Sequence, residues 1–144
     1  MILVLDTNVA ISGLLWPGAP NTILKLIHKG QHTLLLSNEL IDEFKKVAAY
    51  HKFKDRLKML AVNPEQITVY YQNLGRFVPI LKRKKYRTLK DQGDNIFLDL
   101  ALNGKAQLII SGDTHLLSLI SCESIPIVMP SEALRIFDKI KNQP

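Results

Sequence analysis

Ile2-Leu3-Val4-Leu5-Asp6-Thr7-Asn8 is the stretch that decides the fold. Four apolar, β-prone residues with no polar alternation are what a strand buried on both faces of a parallel sheet requires. The run stops at a carboxylate. An acid directly after a buried strand, followed by Thr7 and Asn8 at a helix start, either caps that helix or serves a ligand; the local sequence leaves both readings open.

Outward from this point, strand and helix signals alternate. Val9 to Leu15 is expected to form a short helix ended by Trp16-Pro17-Gly18. Thr22 to His28 is expected to form a second, with Ile23, Leu24 and Ile27 on one face and Gly30 as its stop. His32 to Leu36 reads as the second strand. Ser37 is placed to cap a helix carrying Leu40, Ile41, Phe44 and Val47, and Lys52 to Leu60 continues in helical spacing. Asn63-Pro64-Glu65 announces a helix that runs to about Gly75, through its cap residue, its N1 proline and its first-turn acid. Phe77 to Leu81 is an expected third strand. Ile96, Phe97, Leu100 and Ala101 mark a helix stopped at Asn103-Gly104. Gln107 to Ile110 is a buried strand, Thr114 to Ile120 a short helix and Pro126 to Met129 a last strand. Ser131 is expected to cap a terminal helix whose Leu134, Ile136, Phe137 and Ile140 include the core-facing set.

Such alternation means βαβ units. The expected class is α/β, a central parallel sheet flanked by helices on both faces. With 144 residues, 47% of them apolar, the chain can bury one good core but not two ordinary ones, so residues 1–144 are read as one domain. Cys122 is the sole cysteine; an internal disulfide and a Cys-rich zinc site are both excluded. The run Met1–Leu5 has no preceding basic region or cleavage-like site, and no stretch approaches the ~20 apolar residues of a membrane span. A soluble cytoplasmic protein with no membrane partner is expected.

The formal charge of +6 favours polyanionic partners. Lys82, Arg83, Lys84, Lys85, Arg87 and Lys90 crowd around Tyr86, as a phosphate-contacting patch would, although a solvated loop shows the same composition.

In parallel α/β folds, ligands bind outside the carboxyl ends of the strands. Two expected strands end within three residues of an aspartate, Asp6 and Asp113, and Asp94 opens an apolar helix; all three should approach one sheet edge. Each has an ordinary alternative, a helix cap for Asp6 and Asp94 and a turn for Asp113. Glu43, on the helix after Ser37, reads alone as a solvent-facing acid, and Glu39 lies one turn before it. Gathered carboxylates repel and resist ionising together, so a site built from them usually holds a cation. Oxygen donors without a cysteine or histidine set favour Mg²⁺ or Mn²⁺ over zinc, and such ions act on phosphoryl groups. Competing chemistries fit less well. An aspartyl-phosphate site wants a second acid two positions after the first, where Asn8 stands. No glycine-rich phosphate loop is present. His28, His32, His51 and His115 have no paired ligand spacing, and Cys122 reads as a small core residue.

The segments Val4 to Val9, Leu36 to Phe44, Asp91 to Ala101 and Ile110 to Leu117 resemble, in order and spacing, the conserved blocks of PIN domains, in particular the toxin components of bacterial and archaeal toxin–antitoxin systems. The resemblance spans nearly the whole chain. It implies a metal-dependent endoribonuclease with Asp6, Glu43, Asp94 and Asp113 as its catalytic acids. Asp6, Asp94 and Asp113 are the implied ligands of Mg²⁺ or Mn²⁺. Thr7, Asn8, Ser111 and Asp91 become accessory groups, and Lys82, Arg83, Lys84, Lys85 and Arg87 the contacts to an RNA substrate. An antitoxin partner and a homodimer are expected with it. Gln92-Gly93 stands where relatives tend to have proline and an acid, Asn95 replaces a frequent acid, and Ser111 stands where Thr is common. The alternative is a PIN-like module that grips RNA or a protein without cutting.

Overall fold

A computed structural model describes residues 1–83 and 95–143. Among these the chain forms β1 (Ile2–Leu5), α1 (Thr7–Leu15), α2 (Ala19–His28), β2 (Thr33–Leu36), α3 (Asn38–Ala48), α4 (His51–Met59), α5 (Pro64–Leu74) and β3 (Arg76–Phe77). It continues with α6 (Asn95–Asn103), β4 (Leu108–Ile110), α7 (Thr114–Ser118), β5 (Ser121–Cys122), β6 (Ile125–Val128) and α8 (Pro130–Lys141). The six-stranded sheet has the order β3-β2-β1-β4-β6-β5. Every neighbouring pair is parallel except β5 with β6. The α/β class read from the alternation is thus the observed one.

β1 and β4 lie at the centre and are the driest elements: Leu3, Val4, Leu5, Leu108, Ile109 and Ile110 are all buried. From β1 the chain steps outward to β2 and β3, then crosses back to β4 and steps the other way to β6. Right-handed crossovers therefore put α1 to α5 and α6 with α7 on opposite faces. α6 packs on β1, β2 and β4, and α8 returns against α2 and β4.

Side chains that satisfy the orphan N–H groups of the first turn start several helices. Ser37 Oγ accepts from Leu40 N at 3.1 Å. Asn63 and Gln66 form a reciprocal capping box before α5. At the other end of α2, Gly30 takes a φ of 80°, the left-handed turn expected of a glycine stop.

Several expectations are corrected. The third strand, expected over Phe77 to Leu81, is only Arg76–Phe77: after Val78 N donates to Leu36 O, β2 has ended and Ser37 is already capping α3, so no ladder remains to pair with. Leu81 is accordingly 84% exposed. Ser131 does not cap the terminal helix. Pro130 occupies its first position, where no N–H is needed, and Met129 takes the cap. That helix buries Phe137 and packs Leu134 and Ile136 against the core as expected, adds buried Ala133, and leaves Ile140 exposed. β5 was not expected at all. It pairs with β6 through Glu123 and Ser124, both at positive φ (48° and 72°), the geometry of a tight hairpin turn without the Asn-Gly or Asp-Gly that usually signals one.

Candidate active site

β1 and β4 run side by side with Leu3 opposite Leu108, Val4 opposite Ile109 and Leu5 opposite Ile110, so their carboxyl ends are level. Asp6 N donates to Ile110 O at 3.0 Å, closing the pairing. Beyond this point the two chains diverge toward opposite edges of the sheet, which opens a crevice between the loops that follow them. Such a switch point is where open α/β sheets bind ligands. Asp6 occupies one wall and Ser111-Gly112-Asp113 the other.

Asp6 is both a cap and a member of this crevice, so the two readings of its sequence context do not compete. Its Oδ1 accepts from Val9 N at 2.8 Å at the start of α1. Its Oδ2 accepts from the Ser111 hydroxyl and, at 3.3 Å, from Gly112 N. Ser111, fully buried, in turn accepts from Asp113 N at 3.0 Å. Asp113 caps α7, accepting from His115 N at 2.7 Å and Leu116 N at 3.2 Å. The three residues form one chain of hydrogen bonds across the crevice. Burial pushes the Asp6 carboxyl above its ordinary range; the Ser111, Val9 and Gly112 donors pull it back, and the Asp113 charge pushes it further up.

Thr7 links this centre to α3. Buried next to Asp6, it donates from Oγ1 to Glu43 Oε2 at 2.5 Å. Glu43 is half-buried, whereas Glu39, one turn earlier, pairs with Arg83. That hydrogen bond, with the guanidinium charge, holds the Glu39 carboxyl below its usual range. The helical phase of α3 therefore sends its two acids to different partners.

A cavity of about 490 Å³ opens at this edge, lined among others by Asp6, Asn8, Ser12, Gly112, Asp113 and Thr114. Asp6 and Asp113 thus face one space, with exposed Asn8 at its rim. Glu43 is not part of that lining and is held by the hydroxyl of Thr7, the residue next to Asp6. Asp94 and Asp91 lie outside the described residues, as do Lys84, Lys85 and Arg87. Lys82 and Arg83 are described: Leu81 N and Lys82 N both donate to Asn103 Oδ1 at 3.0 Å, and Asn103 Nδ2 donates to Lys82 O at 2.7 Å. This clasp fixes the chain on α6 at the threshold of the basic segment. Among the described residues no three acids, histidines or cysteines converge closely enough to hold an ion. The donors present nevertheless suit a hard divalent cation: they are carboxylates and hydroxyls, and Asp6 is ionised at a cost, from burial and from Asp113, that a cation between them would relieve.

Asp99 was missed by the sequence reading. It is 5% exposed on α6, and its charge acts on Arg83. The available signal was an acid inside the otherwise apolar run Ile96-Phe97-Leu98-Asp99-Leu100-Ala101. Trp16 is covered on one side by Arg56, 5.6 Å from its ring, and packs on Phe53. Cys122 is buried.

The sheet is an open α/β sheet whose switch point carries Asp6 and Asp113, linked through Ser111. The family profile described as PIN domain matches residues 2–115, and the chain belongs to the PIN-domain family, whose members are generally nucleases. The fold is similar to that of a chain in the crystal structure of VapBC2 from Rickettsia felis bound to a DNA fragment from their promoter. That likeness has a TM-score of 0.58 and 12% identity, over 88% of this chain and 97% of that one. No curated protein sequence matches this chain significantly.

Proposed function

We propose that residues 1–144 form one domain that is a metal-dependent endoribonuclease. The observation that carries this reading is the Asp6-Ser111-Asp113 hydrogen-bond chain at the β1/β4 switch point, which brings two carboxylates to one cavity. Asp6, Asp94 and Asp113 hold the ion. Mg²⁺ or Mn²⁺, when bound, lowers the pKa of a water and neutralises charge on the non-bridging phosphate oxygens. Glu43 orients the attacking water, and the Thr7 hydroxyl fixes its carboxylate. Ser111 and Gly112 donate to Asp6 and so favour its ionised form, while Asn8 and Asp91 serve as accessory groups. Lys82, Arg83, Lys84, Lys85 and Arg87 hold the RNA backbone in line for attack. The water oxygen adds to phosphorus as the bond to the 3′ oxygen breaks, leaving 5′-phosphate and 3′-hydroxyl ends.

The fold shared with the VapBC2 chain supports assigning it as the toxin of a toxin–antitoxin pair, with an antitoxin as its protein partner. A homodimer in the cytoplasm completes the reading; no helix among the described residues is long and apolar enough to cross a membrane. The test is cleavage of single-stranded RNA by the purified protein, with millimolar Mg²⁺ or Mn²⁺ and with chelator. Cleavage is expected only with metal. RNA binding with no cleavage under either metal would replace this reading with the binding-module alternative.

A further inference from the structure

A second basic surface lies in the described residues, away from Asp6. Between Lys45 and Lys58 the chain carries five lysines and Arg56 against Asp55 alone. α4 buries only Phe53 and Leu57. Lys45, Lys46, Lys52, Lys54 and Lys58 are exposed, and none forms an ion pair among the described residues. Arg56 is used internally, its Nε donating to Leu15 O at 2.7 Å. That contact places α4 at the C-terminal end of α1, whose N-terminal end bears Asp6. The separation is a full nine-residue helix, about 13 Å along its axis.

Two cavities meet on this surface. One, of about 700 Å³, lies between the end of α3 and α5, with Lys45, Ala49, Pro64, Glu65 and Val69 in its walls. The other, of about 490 Å³, runs under α4 between Tyr50, Leu57 and Val62, with Lys54 and Lys58 at its rim. Ala49, Asn63 and Pro64 belong to both, so they form one trough. Tyr50 and Val69, 44% and 51% exposed, turn apolar surface into it. An apolar floor whose rim carries Lys45, Lys54 and Lys58 against the single acid Glu65 is net positive, and is complementary to a segment that is apolar on one side and acidic on the other. A phosphodiester backbone would satisfy the lysines but leave the floor uncovered.

We infer that the trough between α3, α4 and α5, rimmed by Lys45, Lys54 and Lys58, is a docking surface for an acidic amphipathic helix of a protein partner. It is separate from the acid edge and does not depend on the nuclease reading. The probe is an 18-residue peptide with leucines at alternating three- and four-residue spacing and glutamates elsewhere, compared with a scrambled peptide of the same composition and with a single-stranded uridine oligonucleotide. Binding to the intact protein is read by fluorescence anisotropy. The amphipathic peptide is expected to bind at least tenfold more tightly than the scrambled one. K45E/K54E/K58E should weaken it at least tenfold, Ala49→Trp, which fills the shared floor, should weaken it comparably, and both variants should keep wild-type melting temperature. Equal affinity for the two peptides, no peptide binding, or charge reversal that weakens only the oligonucleotide would each overturn the inference, the last assigning the surface to nucleic acid. RNA cleavage by the variants is read separately, so failure here leaves the acid edge untouched.

Discussion

The acid edge and the α3–α4–α5 trough are built on opposite principles. At the acid edge, Asp6, Thr7 and Ser111 are buried and each is tied by hydrogen bonds to a neighbour that is itself tied, so the geometry is set before any ligand arrives. In the trough the charges stand free in solvent on flexible stems, and only the apolar floor has a fixed shape. Preorganised donors suit chemistry, where misplacement by an ångström is costly. Free lysines around a shallow apolar floor suit recognition, where both the rate and the choice of partner follow from charge. The contrast teaches that the carboxylates, although fewer than the cations, are the groups the fold takes care to orient.

The largest effect that would break this contrast is at Asp6. Asparagine can still accept from Val9 N, so D6N should fold with little change in melting temperature. Partners outside a metal's own ligand sphere already cost 10- to 100-fold when removed, so loss of a ligand should lower metal-dependent cleavage by at least about a hundredfold. Full activity in purified D6N would show that the edge is merely structural.

Ser111→Ala should have the next effect. It removes one of the two donors to Asp6 Oδ2 and leaves Asp113 N without its acceptor, and should weaken Mn²⁺ binding, measured by calorimetry, by roughly 10-fold or more. It also sharpens the electrostatic claim. Burial raises the Asp6 pKa above its unfolded value, so the folded chain holds that proton more tightly than the unfolded one. The penalty for ionising Asp6 is fully present above its folded pKa and disappears below its unfolded one, about 3.9. Asp6 thus adds stability to the metal-free protein as pH falls through that window. Relative to D6N, wild type should gain stability on acidification, and S111A, lacking a donor that lowers the pKa, should gain more. Urea midpoints from pH 7 to pH 4 check this, and parallel curves for all three would contradict it.

The smallest effect concerns the threshold of the basic segment. Lys82 is exposed, whereas Arg83 is paired with Glu39. If both contact RNA phosphates, K82Q/R83Q should flatten the salt dependence of single-strand binding by about 0.7 per lost contact, with metal binding unmoved. Wild-type slope would remove this pair from the substrate path.

The amino-acid sequence by itself determined the α/β class and the strand ends that carry Asp6 and Asp113. Both follow from local signals, the unbroken apolar runs Ile2–Leu5 and Leu108–Ile110 and the polar residues that stop them. It also determined the α3 and α5 starts, since Ser37 and Asn63 act on N–H groups three residues away. Only the tertiary structure decided what depends on residues far apart. Ser111 meets Asp6 across 105 positions, and Thr7 meets Glu43 across 36. The length of β3 was set by where its partner β2 stops, and β5 by a turn whose residues give no local signal. Asp99 and the lysines of α4 went unremarked for the same reason: spacing along the chain tells which residues share a helix face, but not whether that face meets the sheet or water. That choice belongs to the packing of elements against one another, where burial, and with it the pKa of Asp6, is fixed.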